Sequence, residues 1–276
     1  MKITVLSENT SVSEALGCEH GLSLLLETKS HTVLFDTGAS GLFAENAAKL
    51  GIDLGSVDIA VISHGHYDHG GGLRTFLDIN EKARVYFHEG AFASHYSNRP
   101  DGVKADIGLD RSLLPNDRFV FCGDSCRIDE ELELFSGVEQ LRFVPSGNRD
   151  LFAKDGDEYI PDDFSHEQNL IVLSGGQAIV IAGCAHNGIV SILDTYAARK
   201  RSYPDNVISG FHLYNPAAKK DEDPDLVDRI GEVLKKTEAS FYTCHCTGLP
   251  SYNRLKAILG NRIEYIGTGK QFEINI

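Results

Sequence analysis

Three histidines and one aspartate fall within six consecutive positions of this chain, directly after the apolar, β-branched run Val61-Ile62. The segment runs His64-Gly65-His66-Tyr67-Asp68-His69 and continues into three glycines. Imidazole nitrogens and carboxylate oxygens suit Zn²⁺, and also iron or manganese, and a short loop at a strand end can direct several of them at one point. The glycines allow the backbone to turn sharply and to approach an ion closely. The segment therefore predicts a metal site.

The length and composition predict one large domain over residues 1–276. With 42% hydrophobic residues, a chain of this length can bury a two-layer core without disulfide bonds. The N-terminus begins a strand pattern in place of a signal peptide, and no apolar run reaches the roughly eighteen residues that a membrane span requires. We therefore expect a cytoplasmic protein with no membrane partner, whose six cysteines are thiols that serve as core residues or ligands.

The charge balance bears on the class of partner. The net charge is −14, from 26 basic and 40 acidic residues, which argues against a sequence-independent grip on nucleic acid. Local basic groups can still bind one small phosphate. The expected partner is therefore a small-molecule substrate, possibly a phosphorylated one, and the sequence leaves the oligomeric state open.

The hydrophobic pattern of the first half alternates strands with one helix. Strands are predicted at 2–6, 22–27, 31–35, 58–62 and 84–87, with a helix near 41–50. Residues 90–165 lose this regularity and are rich in turn chemistry, apart from a predicted hairpin at 131–144. Because long irregular segments are uncommon in compact domains unless they are functional, we interpret 90–165 as an insertion that caps the site.

The second half repeats the mixture of strands and helices predicted for the first. Strands are predicted at 169–173, 177–182, 206–211 and 239–243, helices at 187–199, 224–236 and 251–259, and a last strand follows. Two similar halves of mixed strands and helices suit two sheets packed face to face with helices outside. The predicted fold class is thus α/β (α+β), a four-layer αβ/βα sandwich with an insertion after the first half.

Further candidate ligands follow or precede strands of the second half. Strand ends on one side of a sheet converge on a crevice, where side chains from distant positions can meet one ion. The candidates are His166, Cys184 and His186 in Gly183-Cys184-Ala185-His186, His212 in Gly210-Phe211-His212-Leu213, and His245 in Cys244-His245-Cys246-Thr247-Gly248.

The pattern His-x-His-x-Asp-His, with Phe35-Asp36-Thr37-Gly38 upstream, resembles the metallo-β-lactamase superfamily. The resemblance implies the αβ/βα sandwich and a metal-dependent hydrolase with two metal ions, most simply Zn²⁺, with iron or manganese as alternatives. It also implies that His64 and His66 bind one ion, that Asp68 and His69 bind a second, and that Asp36 braces the loop.

The resemblance further implies a third histidine for the first ion, a shared acid and a final histidine for the second. His245 fits the final position, whereas the shared aspartate is absent and Gly183-Cys184 stands in its place. A Cys184 thiolate can ligate in that role. Alternatively His186 or His212 turns inward and Cys184 is only a small buried residue. The third histidine is His166 or, with better support, His186.

Together, Gly-Cys-x-His-x-Gly, Gly-Phe-His-Leu and Cys-His-Cys-Thr-Gly resemble the branch related to the ribofuranosylaminobenzene phosphate and dihydropterin condensing synthase. The expected activity is hydrolysis of an ester, phosphoester or related bond at a mono- or dinuclear centre. Asp68 would orient or deprotonate the attacking water and His212 would protonate the leaving group. Alternatives are a pterin-synthase-like transferase, an iron-dependent oxidoreductase and a non-enzymatic metal-binding module.

Three histidines have no ligand context in the sequence. We expect His20, His31 and His95 to be surface or capping residues, because no other candidate ligand stands beside them.

Overall fold

The computed structural model describes residues 1–140 and 142–275. Its helices are α1 Leu42–Lys49, α2 Tyr67–Gly70, α3 Leu73–Ile79, α4 Ile189–Lys200, α5 Pro224–Lys236 and α6 Leu249–Leu259. Its strands are β1 Lys2–Ser7, β2 Ser23–Glu27, β3 Thr32–Phe35, β4 Ile59–Val61, β5 Arg84–His88, β6 His95–Asn98, β7 Lys104–Asp106, β8 Phe119–Cys122, β9 Ser125–Arg127, β10 Leu132–Phe135, β11 Leu151–Asp155, β12 Glu158–Pro161, β13 Asn169–Ser174, β14 Gln177–Ile181, β15 Asn206–Ser209, β16 Tyr214–Asn215, β17 Lys220–Asp221, β18 Ser240–Thr243, β19 Ile263–Tyr265 and β20 Gln271–Glu273.

Two seven-stranded sheets form the centre of the molecule. The first has the order β20-β1-β2-β3-β4-β5-β8, and β3, β4, β5 and β8 run parallel. The second has the order β19-β18-β15-β14-β13-β10-β9, and β14, β15, β18 and β19 run parallel. In each sheet the carboxyl ends of the parallel strands therefore lie along one edge.

Three apolar clusters hold the layers together. The cluster between the sheets joins Val5 and Val61 of the first sheet to Ile181 and Ile208 of the second. A second cluster packs α1 and α3 on the outer face of the first sheet, and a third packs α4, α5 and α6 on the outer face of the second. The layers are thus helix, sheet, sheet and helix, which confirms the predicted four-layer αβ/βα fold.

Local sequence explains where the long helix of the second half begins. Asp223 caps α5 by accepting the Asp225 N–H, and Pro224 occupies the first helical turn, where no hydrogen-bond donor is needed. Lys235 and Lys236 lie in the last turn, where positive charge opposes the negative end of the helix dipole. The start predicted at residue 224 is confirmed.

The segment 90–165 differs from its prediction in two ways. The hairpin predicted at 131–144 is wrong, because β10 pairs with the preceding β9 and with β13 inside the second sheet. Strand β8 likewise belongs to the first sheet. A short strand has the same alternating sequence pattern in a local hairpin and inside a larger sheet. A short stretch of sequence therefore does not identify which strand is its partner. What lies outside the main sheets is a four-stranded sheet of order β12-β11-β6-β7, together with the loops that flank it.

Among the helices that the structure describes, none combines the length and the apolar character needed to cross a bilayer.

Candidate metal centre

The predicted ligands meet at the edge where the parallel strands of both sheets end. Strand β4 leads into the loop of His64, β14 into the turn of Cys184, β15 into His212 and β18 into His245. Strand β13 runs antiparallel to β14, so its start places the segment of His166 at the same edge. This common edge is why side chains from distant parts of the sequence converge.

Asp36 organises the first loop. Its Oδ1 accepts the Ser63 N–H at 2.7 Å, and its Oδ2 accepts the Ser63 hydroxyl at 2.7 Å and lies 2.6 Å from Nδ1 of His69. A carboxylate only accepts hydrogen bonds, so Nδ1 of His69 carries the proton and Nε2 is left for an ion. Asp36 therefore lies where the resemblance implies a bracing residue.

His64, His66 and His186 form the first ligand group. Each ring offers a nitrogen that lies within 4.8 Å of the other two. Nδ1 of His64 lies 2.9 Å from the Ser63 hydroxyl, and Nδ1 of His186 lies 3.1 Å from Oδ1 of Asn148. These contacts fix both rings with Nε2 directed at the group.

Asp68, His69 and His245 form the second ligand group. Oδ2 of Asp68 lies 3.4 Å from Nε2 of His245 and 3.8 Å from Nε2 of His69, and these two nitrogens are 3.3 Å apart. Nδ1 of His245 is held by Oδ1 of Asn9 at 2.7 Å. The ring of His245, like that of His69, thus keeps its outer nitrogen protonated and presents Nε2.

Cys184 lies between the two groups. Its Sγ is 3.1 Å from Nε2 of His69, and it also shares candidate ligand clusters with His64, His186 and His245. This is the position in which the resemblance implies a shared aspartate. Burial raises the pKa of the Cys184 thiol, so a cation bound there would have to displace the thiol proton.

His212 lies beside the first group. Its ring centroid is 4.1 Å from that of His186, and its buried Nδ1 has no hydrogen-bond partner among the described residues. The neighbouring His186 is held at two points. Asn148 contacts Nδ1 of its ring, and Glu167 accepts its backbone N–H at 2.6 Å. The structure therefore places His186, rather than His166, with His64 and His66. That these residues bind metal remains a prediction.

Strained backbone marks the turns that carry the site. Asp36, Ala185, His212 and His245 adopt positive φ angles of 59°, 57°, 49° and 50°. Residues other than glycine rarely adopt this conformation, which costs about 1–3 kcal/mol each and persists where surrounding contacts enforce it. The surrounding contacts therefore hold these residues in a strained conformation that presents their side chains at one edge.

Burial sets the protonation of the ligands. It lowers the pKa values of His64 and His186 well below the ordinary value, and neighbouring histidines lower them further, so both rings are neutral as metal binding requires. Burial by itself would raise the pKa of Asp68, but the neighbouring imidazoles of His69, His20 and His245 hold it well below its usual range. Asp68 is therefore a carboxylate.

The donor set fits bound cations. Nε2 of His64 and Nε2 of His186 are buried and have no hydrogen-bond partner among the described residues. Unsatisfied buried polar atoms are costly, and their convergence is expected where an ion supplies the missing partner. The residues that would hold two ions are thus the first group, the second group and Cys184 between them.

Two contributors to the site escaped the sequence analysis. Nε2 of His20 lies 3.2 Å from Oδ2 of Asp68, and Cys246 accepts the His212 N–H at 3.2 Å on its Sγ. The prediction that His20 is a surface or capping residue is wrong. Strand direction was the signal that could have found it. His20 lies in the loop after β1, and this loop is at the same edge as the loop after β3 because β1, β2 and β3 alternate in direction.

The same prediction is also wrong for His95, which is only 2% exposed and contacts Asp162. His31, in contrast, lies in the turn between β2 and β3 and pairs with Asp129 near the surface.

A cavity of about 290 Å³ opens above the candidate ligands. Its floor includes His66, Asp68 and Cys184, and part of its wall comes from the segment 90–165, including Ser97 and Arg99. The segment predicted to cap the site thus supplies residues to the cavity wall.

Comparisons with known proteins agree with this geometry. The family model of the metallo-beta-lactamase superfamily matches residues 16–199. Two proteins of Methanocaldococcus jannaschii are similar: an uncharacterised protein, 28% identical over 97% of this chain and 98% of its own, and 7,8-dihydropterin-6-methyl-4-(beta-D-ribofuranosyl)-aminobenzene-5'-phosphate synthase, 26% identical over 98% and 95%. The crystal structure of Tm1679, described as a metal-dependent hydrolase of the beta-lactamase superfamily, matches with a TM-score of 0.84 and 31% identity over 100% of both chains. The chain therefore belongs to the metallo-beta-lactamase superfamily, as its sequence motifs indicate.

Proposed function

We propose that this protein is a metal-dependent hydrolase that uses two Zn²⁺ ions to activate water against an ester, phosphoester or related bond of a small molecule. One observation carries the proposal: two groups of buried imidazole and carboxylate ligands converge beneath a cavity, with Cys184 between them. Iron or manganese would suit the same nitrogen and oxygen donors, so the choice of Zn²⁺ rests on the ligand softness that a thiolate adds.

Bound ions would act as Lewis acids and lower the pKa of a water molecule towards neutrality. Asp68 is placed to orient that water or to accept its proton, since His20 fixes one of its oxygens at 3.2 Å. His212 lines the cavity and has a buried Nδ1 with no hydrogen-bond partner among the described residues. It is the candidate that protonates the leaving group.

The cavity suggests an anionic small molecule. Arg99 lies in the cavity wall, and among the described residues no carboxylate forms an ion pair with its guanidinium. In a chain with a net charge of −14, an unpaired cation beside the ligand groups favours a substrate with a phosphate or carboxylate group. The same net charge disfavours nucleic acid as a partner. We further propose that the protein acts in the cytoplasm, with no membrane partner.

A transferase is the second candidate, because the chain is 26% identical to the aminobenzene phosphate synthase over 98% of its length. Such an enzyme would use the same centre to polarise a phosphorylated substrate. An oxidoreductase at iron is the third, and the identity of the bound metal tests it.

Elemental analysis of protein purified without a polyhistidine tag, combined with a screen of chromogenic esters and phosphoesters, tests the proposal. We expect about two zinc ions per chain and saturable, metal-dependent hydrolysis. His64→Ala and Asp68→Asn should lose both, whereas His31→Ala removes a histidine remote from the cavity and should lose neither. Full activity and metal content in His64→Ala and Asp68→Asn would refute the proposal. One iron per chain with oxygen uptake would favour the oxidoreductase.

A further inference from the structure

Three buried polar residues lie beneath the first ligand group. His95, Asp162 and His166 are all less than 10% exposed, and together with His66 each offers an atom within 4.8 Å of the others. None of the three belongs to either ligand group described above. Four such residues at this spacing have the composition of a further metal site, so their hydrogen bonds decide what they do.

His166 has no lone pair available for an ion. The Gly65 N–H donates to its Nδ1 at 3.0 Å, which places the lone pair of the neutral ring on that nitrogen. Its Nε2 therefore carries the proton and donates to Oδ2 of Asp162 at 3.3 Å. Both nitrogens of His166 are thus engaged within the protein.

His95 has the opposite arrangement. Its Nδ1 lies 3.1 Å from Oδ2 of Asp162, and since the carboxylate accepts, Nδ1 carries the proton. The lone pair is then on Nε2, which is buried and has no donor among the described residues. The other oxygen of Asp162 accepts the Phe164 N–H at 2.8 Å, so the carboxylate is fixed from two sides.

His66 needs an acceptor where His95 offers one. In His64, His69, His186 and His245 the nitrogen that faces away from the ligand group has a hydrogen-bond partner. Among the described residues His66 has none, and its Nε2 is buried. The ring centroids of His66 and His95 are 5.6 Å apart, and the rings meet at 72°.

The backbone between these rings leaves room for their contact. A Cβ atom at Gly65 would lie 2.6 Å from Nε2 of His95 and 2.3 Å from the Ala91 carbonyl oxygen. Only glycine permits this close approach of the metal loop to His95.

We propose that Asp162 and His95 are positioning residues for His66. With an ion bound, Nε2–H of His66 would donate to Nε2 of His95, whose proton is fixed on Nδ1 by Asp162, and His66 would present Nδ1 to the first group. The cluster thus extends the familiar pairing of a ligand histidine with a carboxylate by one more ring. The inference rests on the proposed metal binding and adds the residues that orient one of its ligands.

The test compares His95→Phe, which removes the acceptor, with His95→Gln, whose Oε1 can accept in its place. Zinc affinity by competition with a chromophoric chelator, and the visible spectrum of the cobalt-substituted protein, report the first ion directly. We expect His95→Phe to weaken binding of one ion about 10–100-fold and to change the cobalt spectrum, and His95→Gln to recover most of both. Asp162→Asn, measured in the same way, serves if His95→Phe does not fold.

His31→Phe is the matched control, because it also removes a histidine paired with an aspartate, and that pair is far from the cavity. A His95→Phe protein with the affinity and spectrum of this control would overturn the inference while leaving the proposed function intact. A third ion in the unmodified protein that His95→Phe loses would also overturn it, since the cluster would then be a metal site. An unmodified protein that binds no ion would refute the proposed function, and the inference with it.

Discussion

The Sγ atom of Cys184 lies 3.1 Å from Nε2 of His69, between the two groups of candidate ligands. A thiolate here would contact an ion in either group, and thiolates favour zinc over harder ions. We expect Cys184→Ala to weaken binding of at least one zinc ion by more than about tenfold, and Cys184→Asp to retain two ions. Chelator competition measures the affinity.

The cobalt-substituted protein provides an independent measurement of the same contact. A sulfur-to-cobalt charge-transfer band in the near ultraviolet should disappear in Cys184→Ala. Cys122→Ala is the control, because Cys122 is a buried thiol in the apolar cluster between the sheets. If the band survives in Cys184→Ala as it does in the control, Cys184 is only a small core residue.

His20 contacts Asp68 directly, with Nε2 of His20 3.2 Å from Oδ2 of Asp68. Nδ2 of Asn9 lies 3.3 Å from Nδ1 of His20, which leaves the proton on Nε2 to donate to Asp68. His20→Phe should reduce turnover or zinc affinity about tenfold, because Asp68 loses the contact that orients it. His20→Gln keeps a donor and should be close to the unmodified protein. Equal losses in the two variants would show that the ring is needed for packing alone.

Arg99 is expected to bind an anionic group of the substrate. Arg99→Gln should raise KM about tenfold or more for phosphorylated or carboxylated substrates and leave neutral esters almost unaffected. Steady-state kinetics on one anionic and one neutral ester measure the difference. Arg254→Gln removes an arginine from an exposed ion pair with Asp228 and is the control. An equal change for both esters would remove Arg99 from substrate recognition.

Gly183 leaves room for the hydroxyl that links Asp36 to His64. A Cβ atom there would lie 2.2 Å from Oγ of Ser63 and 3.2 Å from Nδ1 of His64. Gly183→Ala should cost about 1–3 kcal/mol of unfolding free energy and weaken zinc binding as well. Gly123→Ala introduces the same methyl group into open space. Denaturant unfolding and zinc titration of both variants check this, and identical behaviour would contradict it.

Acid stability should depend in part on Asp110. Hydrogen bonds from Ser112, followed by the contact with Arg74, lower the pKa of Asp110 to about 2. Because the folded pKa lies below the unfolded one, this stabilisation is complete above pH about 4 and is lost as pH falls towards 2. The residue is exposed, so the effect should be below about 1 kcal/mol. Unfolding of Asp110→Asn should show a correspondingly shallower pH dependence in that window, and an unchanged slope would contradict the assignment.

Outside residues 90–165, most strands and helices could be predicted from the sequence because apolar periodicity is a local property. The predicted strand at 31–35 and helix at 224–236 lie within two residues of their observed bounds. The hairpin at 131–144 failed because β10 pairs with β13, more than thirty positions along the chain. A window of sequence contains no information about such a distant partner.

By itself, the sequence determined the superfamily and the candidate metal loop, since His64, His66, Asp68 and His69 lie within six positions, and the glycines that follow allow a sharp turn. Tertiary structure decided what meets that loop. His186 rather than His166 joins the first group because the lone pair of His166 accepts the Gly65 N–H. His20 and His95 reach the site only through strand direction and burial. Candidate ligands at the ends of separate strands are brought together by sheet packing. The spacing of residues along the chain does not show which strand ends will meet.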